Sequence, residues 1–82
     1  MATAQDIPAL ITLLARALVD APDEVFVEAF DEEGQIVLEL EVAENDLGKV
    51  IGRQGRMARS LRTILSAAAS KTRKRYQLEI VE

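Results

Sequence analysis

Three rhythms of apolar and polar positions run along the chain, and each predicts an element. In DIPALITLLARALVDAP, Ile7, Leu10, Ile11, Leu14 and Leu18 recur every three or four residues and draw one apolar stripe down a helix. Asp6 is placed to cap its first turn, and Pro8 is tolerated there because the earliest N–H groups have no helical partner. Pro22 disfavours helical geometry at Ala21, so the helix is expected to end near that point. In EVFVEAFDEEGQIVLELEV the period is two. Ile36, Leu38, Leu40 and Val42 fall on one face, with Glu39 and Glu41 on the other, as in a half-buried strand. Val25 and Val27 mark an earlier strand, and Glu32, Glu33 and Gly34 supply the turn of a hairpin. Phe26 and Phe30 then share the less covered face with Glu28, either as edge packing or as a partner contact.

The second half repeats the helical rhythm twice. ENDLGKVIG predicts a short helix opened by Asn45 or Asp46. RMARSLRTILSAAASK predicts a longer one, with Met57, Leu61, Ile64, Leu65 and Ala68 on one side and Arg56, Arg59 and Arg62 opposite. SKTRKR is a basic loop, and YQLEIVE closes the chain as a strand with Tyr76, Leu78 and Ile80 alternating. The order is α-β-β-α-α-β. A strand, a two-helix crossover and another strand imply parallel pairing of 35–43 with 75–81. With the hairpin partner this makes an α+β fold, a three-stranded mixed sheet covered on one face by three helices, because each helix has a stripe to bury and the chain is too small for two cores. One domain over residues 1–82 is expected.

Composition narrows the chemistry. An apolar fraction of 49% supplies a core. The absence of cysteine and histidine removes disulfides, thiolate metal sites and the commonest general base and neutral metal ligand. Ser60, Ser66 and Ser70 have no base to activate them, and the acids lack metal-like spacing, so neither an enzyme nor a cofactor site is expected. Asp6, Arg16 and Asp20 interrupt the N-terminal apolar residues, which read as neither leader nor membrane span; a cytoplasmic protein is expected.

The net charge of -4 hides a strong polarity. Residues 1–46 carry twelve acids and one base, a balance of -11, while residues 47–82 carry nine bases and two acids, a balance of +7. Such a chain either neutralises itself in the fold or presents one positive face to a polyanion.

The basic half contains VIGRQGRMA, residues 50–58. An ordinary helix junction needs one glycine, to take a left-handed backbone; Gly52 and Gly55 make two. With both side chains missing, another backbone can approach closely. The following helix N-terminus brings free N–H groups and a partial positive charge. Arg53 sits between the glycines, and Lys49, Arg56 and Arg59 flank them, a set suited to a phosphodiester backbone. GRQGRMA lacks the longer spacing and the Gly-Lys-Ser/Thr ending of a P-loop, and a short helix, not a strand, precedes it, which disfavours a dinucleotide fingerprint.

VIGRQGRMARSLR, set between two helices of a β-α-α-β core, resembles the Ile-Gly-x-x-Gly signature of the KH domain. The extra helix and strand N-terminal to that core correspond to the type II arrangement. Over nearly the whole chain, LGKVIGRQGRMARSLRTILSAAASK with its short basic loop and terminal strand is similar to the KhpA family of small bacterial single-KH proteins. The resemblance implies single-stranded RNA held by a loop of Gly52, Arg53, Gln54 and Gly55, with Lys49, Arg56 and Arg59 as phosphate candidates. Val50 and Ile51 then serve the core or line the groove under the bases, and Val37 to Glu41 form the opposite wall through backbone groups. Residues 70–75 add diffuse charge. Phe26, Phe30 and Tyr76, the only aromatics, lie away from the loop, so base stacking is not the main device. The family further implies a role as RNA chaperone or post-transcriptional regulator, links to cell shape and cell-wall biogenesis, and association as a homodimer or with a larger Jag-like KH protein, KhpB. A protein-interaction module acting mainly through such a partner is the competing reading.

Overall fold

A computed structural model describes residues 6–82. Helix α1 spans Asp6–Leu18 and is described from its first residue, so how the chain enters it lies outside the described residues. It buries Ile7, Ile11 and Ala15, a stripe at successive i, i+4 positions, with Leu14 and Leu18 packed alongside. Leu10, expected in the stripe, is half-buried and stands outside the core cluster. The helix stops at Leu18, three residues before Ala21. The N–H groups of Asp20 and Ala21 turn away from the helix to the Asp46 carboxylate, and Pro22–Glu24 form a 3-10 turn.

Strands β1 (Phe26–Glu32) and β2 (Gln35–Glu41) pair antiparallel in the register Phe26↔Glu41 to Glu32↔Gln35. The turn is only Glu33 and Gly34, both with positive φ (53° and 85°), as a two-residue turn matching the strand twist requires; Glu32 is still in the strand. Strand β3 (Arg75–Ile80) pairs parallel with β2, giving the order β1-β2-β3. The α-β-β-α-α-β order and the mixed three-stranded sheet are those expected.

Period-two alternation sorts the sheet into two faces. Ile36, Leu38, Leu40 and Leu78 are buried with the helices, and Val27, Tyr76 and Ile80 pack at their margins. Phe26, Glu28 and Phe30 are exposed on the other face, beside Glu39 and Val37 in the cross-strand register.

Helix α2 (Leu47–Ile51) follows a 3-10 turn over Glu44–Asp46, and helix α3 (Arg56–Ala69) follows another over Arg53–Gly55. Helix α3 buries Ala58, Leu61, Leu65 and Ala69. The buried arc is rotated from the expected one: Met57 and Ala68 sit at its margin, and Ile64 is 41% exposed. Two alanines in the arc let α3 settle closely on the sheet, where the bulkier Ile64 would hold it off. The same rotation brings Arg62 to the edge of the buried arc, with consequences at β3.

Candidate nucleic-acid interface

The loop between α2 and α3 is built by the backbone at three positions, Gly52, Gln54 and Gly55. Gly52 has φ 77° and ψ 170°, a combination essentially confined to glycine. Gln54 (φ 58°, ψ 24°) and Gly55 (φ 74°, ψ 14°) are both left-handed. The chain therefore reverses twice within four residues. Gly52 donates its N–H to Gly48 O at 2.8 Å, closing α2, and Gly55 donates to Gly52 O at 3.1 Å, closing the loop. Arg59 reaches back from α3 and donates from Nη1 to Gln54 O at 3.1 Å, pinning the loop to the helix that follows.

The two glycines do different work. A Cβ on Gly52 would lie 2.7 Å from both the Cβ and the backbone N of Met57, so the first turn of α3 packs on the site a side chain would need. A Cβ on Gly55 would meet only Arg59 Nη1, at 3.7 Å. Gly52 thus enforces the joint between the helices, while Gly55 leaves a bare surface at the start of a 14-residue helix.

Beyond the two glycines and Arg59, the predicted site residues divide into three groups. Arg53 and Gln54 on the loop and Arg56 at the start of α3 are exposed, and neither arginine side chain has an ion-pair or hydrogen-bond partner among the described residues. Val50 and Ile51, which had two readings, separate: Val50 is fully buried in the core, and Ile51 is half-buried and lines a groove. Lys49 points away from the loop cations. Its Nζ lies 2.7 Å from Asp20 Oδ2 and 3.0 Å from Asp46 Oδ1. Asp46, one of the two residues expected to cap α2, makes no such cap; it accepts instead from Asp20 N at 3.2 Å and Ala21 N at 3.0 Å.

These contacts set the titration of the pair. Burial on its own raises the Asp46 carboxyl, but the hydrogen bonds from Lys49, Asp20 and Ala21 outweigh it and hold the group below its ordinary value. Hydrogen bonds to Asp20 and Asp46 raise Lys49 above its own.

The groove beside the loop is lined by Ile51, Gly55, Ala58, Arg59, Arg62, Ile80 and Glu82. Its far wall is therefore β3, not Val37 to Glu41. Strand β2 is central, and its backbone groups are taken by β1 on one side and β3 on the other. The sheet edge facing the groove is the outer edge of β3, and Arg62 bridges to it, donating from Nε and Nη2 to Leu78 O, both at 3.4 Å. Sequence reasoning set Ile80 in alternation with Tyr76 and Leu78, but the groove it lines depends on strand order, which no local pattern encodes. An apolar floor, a cationic rim and a glycine-bared helix start can receive a flat ring and an anionic chain side by side.

The basic segment 70–75 is not brought to this groove. It lies at the other end of α3, about 20 Å along a 14-residue helix. Thr72 holds it as a tight turn, donating to Ala69 O at 2.8 Å, and Lys74 Nζ sits 3.4 Å from Asp31 Oδ2. Among the described residues there is no cluster of three or more acids that could hold a metal ion, and no helix is long and apolar enough to cross a membrane.

Residues 8–80 match the family described as KhpA/KhpB, KH domain. The chain is similar to the RNA-binding protein KhpA of Treponema pallidum, 55% identical over 73 residues that cover 89% of this chain and 91% of that protein. It is 51% identical to the RNA-binding protein KhpA of Clostridium acetobutylicum over 88% of this chain and 96% of that one. With the RNA-binding protein KhpA of Aquifex aeolicus it shares 51% identity over 89% and 92% of the two chains.

Proposed function

The chain belongs to the KhpA/KhpB KH-domain family, and from that premise we propose that it binds single-stranded RNA, with the sugar-phosphate backbone on the loop Gly52-Arg53-Gln54-Gly55. One observation carries this reading. Of the cations near the loop, the Arg53 and Arg56 side chains are without partners among the described residues, and they flank Gly55, the loop glycine at which an added Cβ would meet nothing closer than Arg59 Nη1 at 3.7 Å. Free guanidinium forks are suited to phosphate oxygens. Arg59 adds charge while bracing the loop, and Ile51, Ala58 and Ile80 give the bases an apolar floor.

In this reading the chain works as one KH unit in the cytoplasm, without catalysis, as an RNA chaperone or post-transcriptional regulator. A single short site favours pairing, as a homodimer or with a KhpB-type protein, because a linked second site raises effective concentration. Exposed Phe26 and Phe30 on the sheet face away from the described helices support a protein contact distinct from the loop. Effects on cell shape and cell-wall biogenesis would follow from the transcripts bound. Crosslinking in cells followed by RNA sequencing tests the reading. Wild type is expected to recover RNA that the Arg53→Asp, Gln54→Asp variant does not; equal recovery by both would remove the loop as the binding site.

A further inference from the structure

Helix α2, which carries the chain into the loop, has five residues. A helix that short does not stand alone; isolated helices need about 12–15 residues even for marginal stability. It is held from outside, by Val50 in the core, by Leu47 packed against it and by a knot at its start. Asp46 is the buried charged side chain of the described residues, only 2% exposed. Its carboxylate takes the N–H groups of Asp20 and Ala21, where the chain leaves α1, together with the Lys49 ammonium one turn up α2. Lys49 in turn holds the exposed Asp20 carboxylate at 2.7 Å.

We propose that Asp46 is the positioning residue of the Gly-x-x-Gly loop, and that Lys49 is its counter-ion rather than a phosphate contact. The carboxylate ties the α1–β1 connection to the first turn of α2, and α2 delivers Gly52 to its seat on Met57. Freed of the knot, the five-residue helix keeps only the apolar contacts of Val50 and Leu47, and the loop loses its fixed bearing on α3. Asp20, Asp46 and Lys49 together carry a charge of -1, so a phosphate approaching the ammonium meets the exposed Asp20 carboxylate first.

The binding arm of the test rests on the RNA reading; the exchange arm does not. Asp46→Asn, Lys49→Met and Arg53→Met are compared by amide hydrogen exchange without RNA, and by titration of a single-stranded RNA across salt concentrations. Asp46→Asn keeps the shape but places an amide NH2 where a donor already points. Exchange at residues 52–56 is expected to quicken by about tenfold while the sheet amides hold. A loop competent for a fraction of the time weakens apparent affinity by that fraction, about fivefold, without changing the number of phosphate contacts, so the salt slope stays. Lys49→Met keeps the slope as well, whereas Arg53→Met flattens it by about 0.7. If Asp46→Asn fails to fold, Lys49→Met still reports, with faster loop exchange expected. Wild-type exchange in both variants would overturn the positioning role, and a slope flattened by Lys49→Met as much as by Arg53→Met would overturn the counter-ion role. Absence of RNA binding in wild type would refute the RNA reading and leave the exchange result decisive for Asp46.

Discussion

Gly52→Ala and Gly55→Ala differ by one methyl group at two glycines three residues apart, yet their costs should differ severalfold. At Gly52 the backbone angles lie in a region that other residues enter only under strain of about 1–3 kcal/mol. The new Cβ would also sit 2.7 Å from Met57 N, a backbone atom that moves only if the first turn of α3 moves. Overpacking of that kind adds about 1–3 kcal/mol, for a total of about 2–6. At Gly55 the conformation is left-handed α, which costs an ordinary residue about 1–2 kcal/mol, and the nearest atom is a guanidinium nitrogen at 3.7 Å. A chain of 82 residues has about 4–12 kcal/mol in all, so the first substitution threatens the fold and the second does not. Urea unfolding followed by circular dichroism reads both. A loss of about 3 kcal/mol moves the midpoint by about 1–3 M. Equal midpoints for the two variants, or a lower one for Gly55→Ala, would refute the assignment of the helix joint to Gly52.

Other outcomes follow from the same contacts. RNA affinity should fall with salt at a log–log slope of about -0.7 per phosphate contact; with Arg53, Arg56 and Arg59 as candidates, a slope no steeper than about -2 is expected, and a steeper one would bring in the 70–75 segment. Removing Arg62, which is occupied at Leu78 O, should leave that slope unchanged. The depressed Asp46 carboxyl contributes stability that is present above its ordinary value of 3.8 and is lost as pH falls through its lower folded value. The raised Lys49 ammonium contributes stability that is complete below 10.5 and is lost as pH rises through its higher folded value. Urea midpoints of wild type and Asp46→Asn should therefore converge in acid and differ by a constant near neutrality; a gap that widened in acid would mean that the carboxyl is not held ionised by its partners.

The fold was legible in the sequence because its elements have clean periods. The alternation of Ile36, Leu38 and Leu40 sets the buried face of β2, and the crossover after it leaves few topologies. The loop was legible from its two glycines and surrounding arginines. Two kinds of information were not. The rotation of α3 depends on how closely Ala58 and Ala69 allow the helix to approach, and it exposes Ile64 and turns Arg62 toward β3. The pairing of Lys49 with Asp20 and Asp46 joins residues 29 and 3 positions apart, and charge alone made Lys49 look like the neighbouring arginines. Long-range partners of a charged side chain leave no periodic trace.

Titration of a fluorescent single-stranded RNA with wild type and with Arg53→Asp, Gln54→Asp, each checked for oligomeric state and for native circular dichroism, tests the central claim most directly. Both residues are exposed, so the variant should fold as wild type does, and two carboxylates should replace the positive field of the loop. Binding by the wild type in about the micromolar range, abolished in a folded variant, is the predicted result. A folded variant that binds RNA as tightly as wild type would contradict the account, because the loop would then not be where the backbone lies.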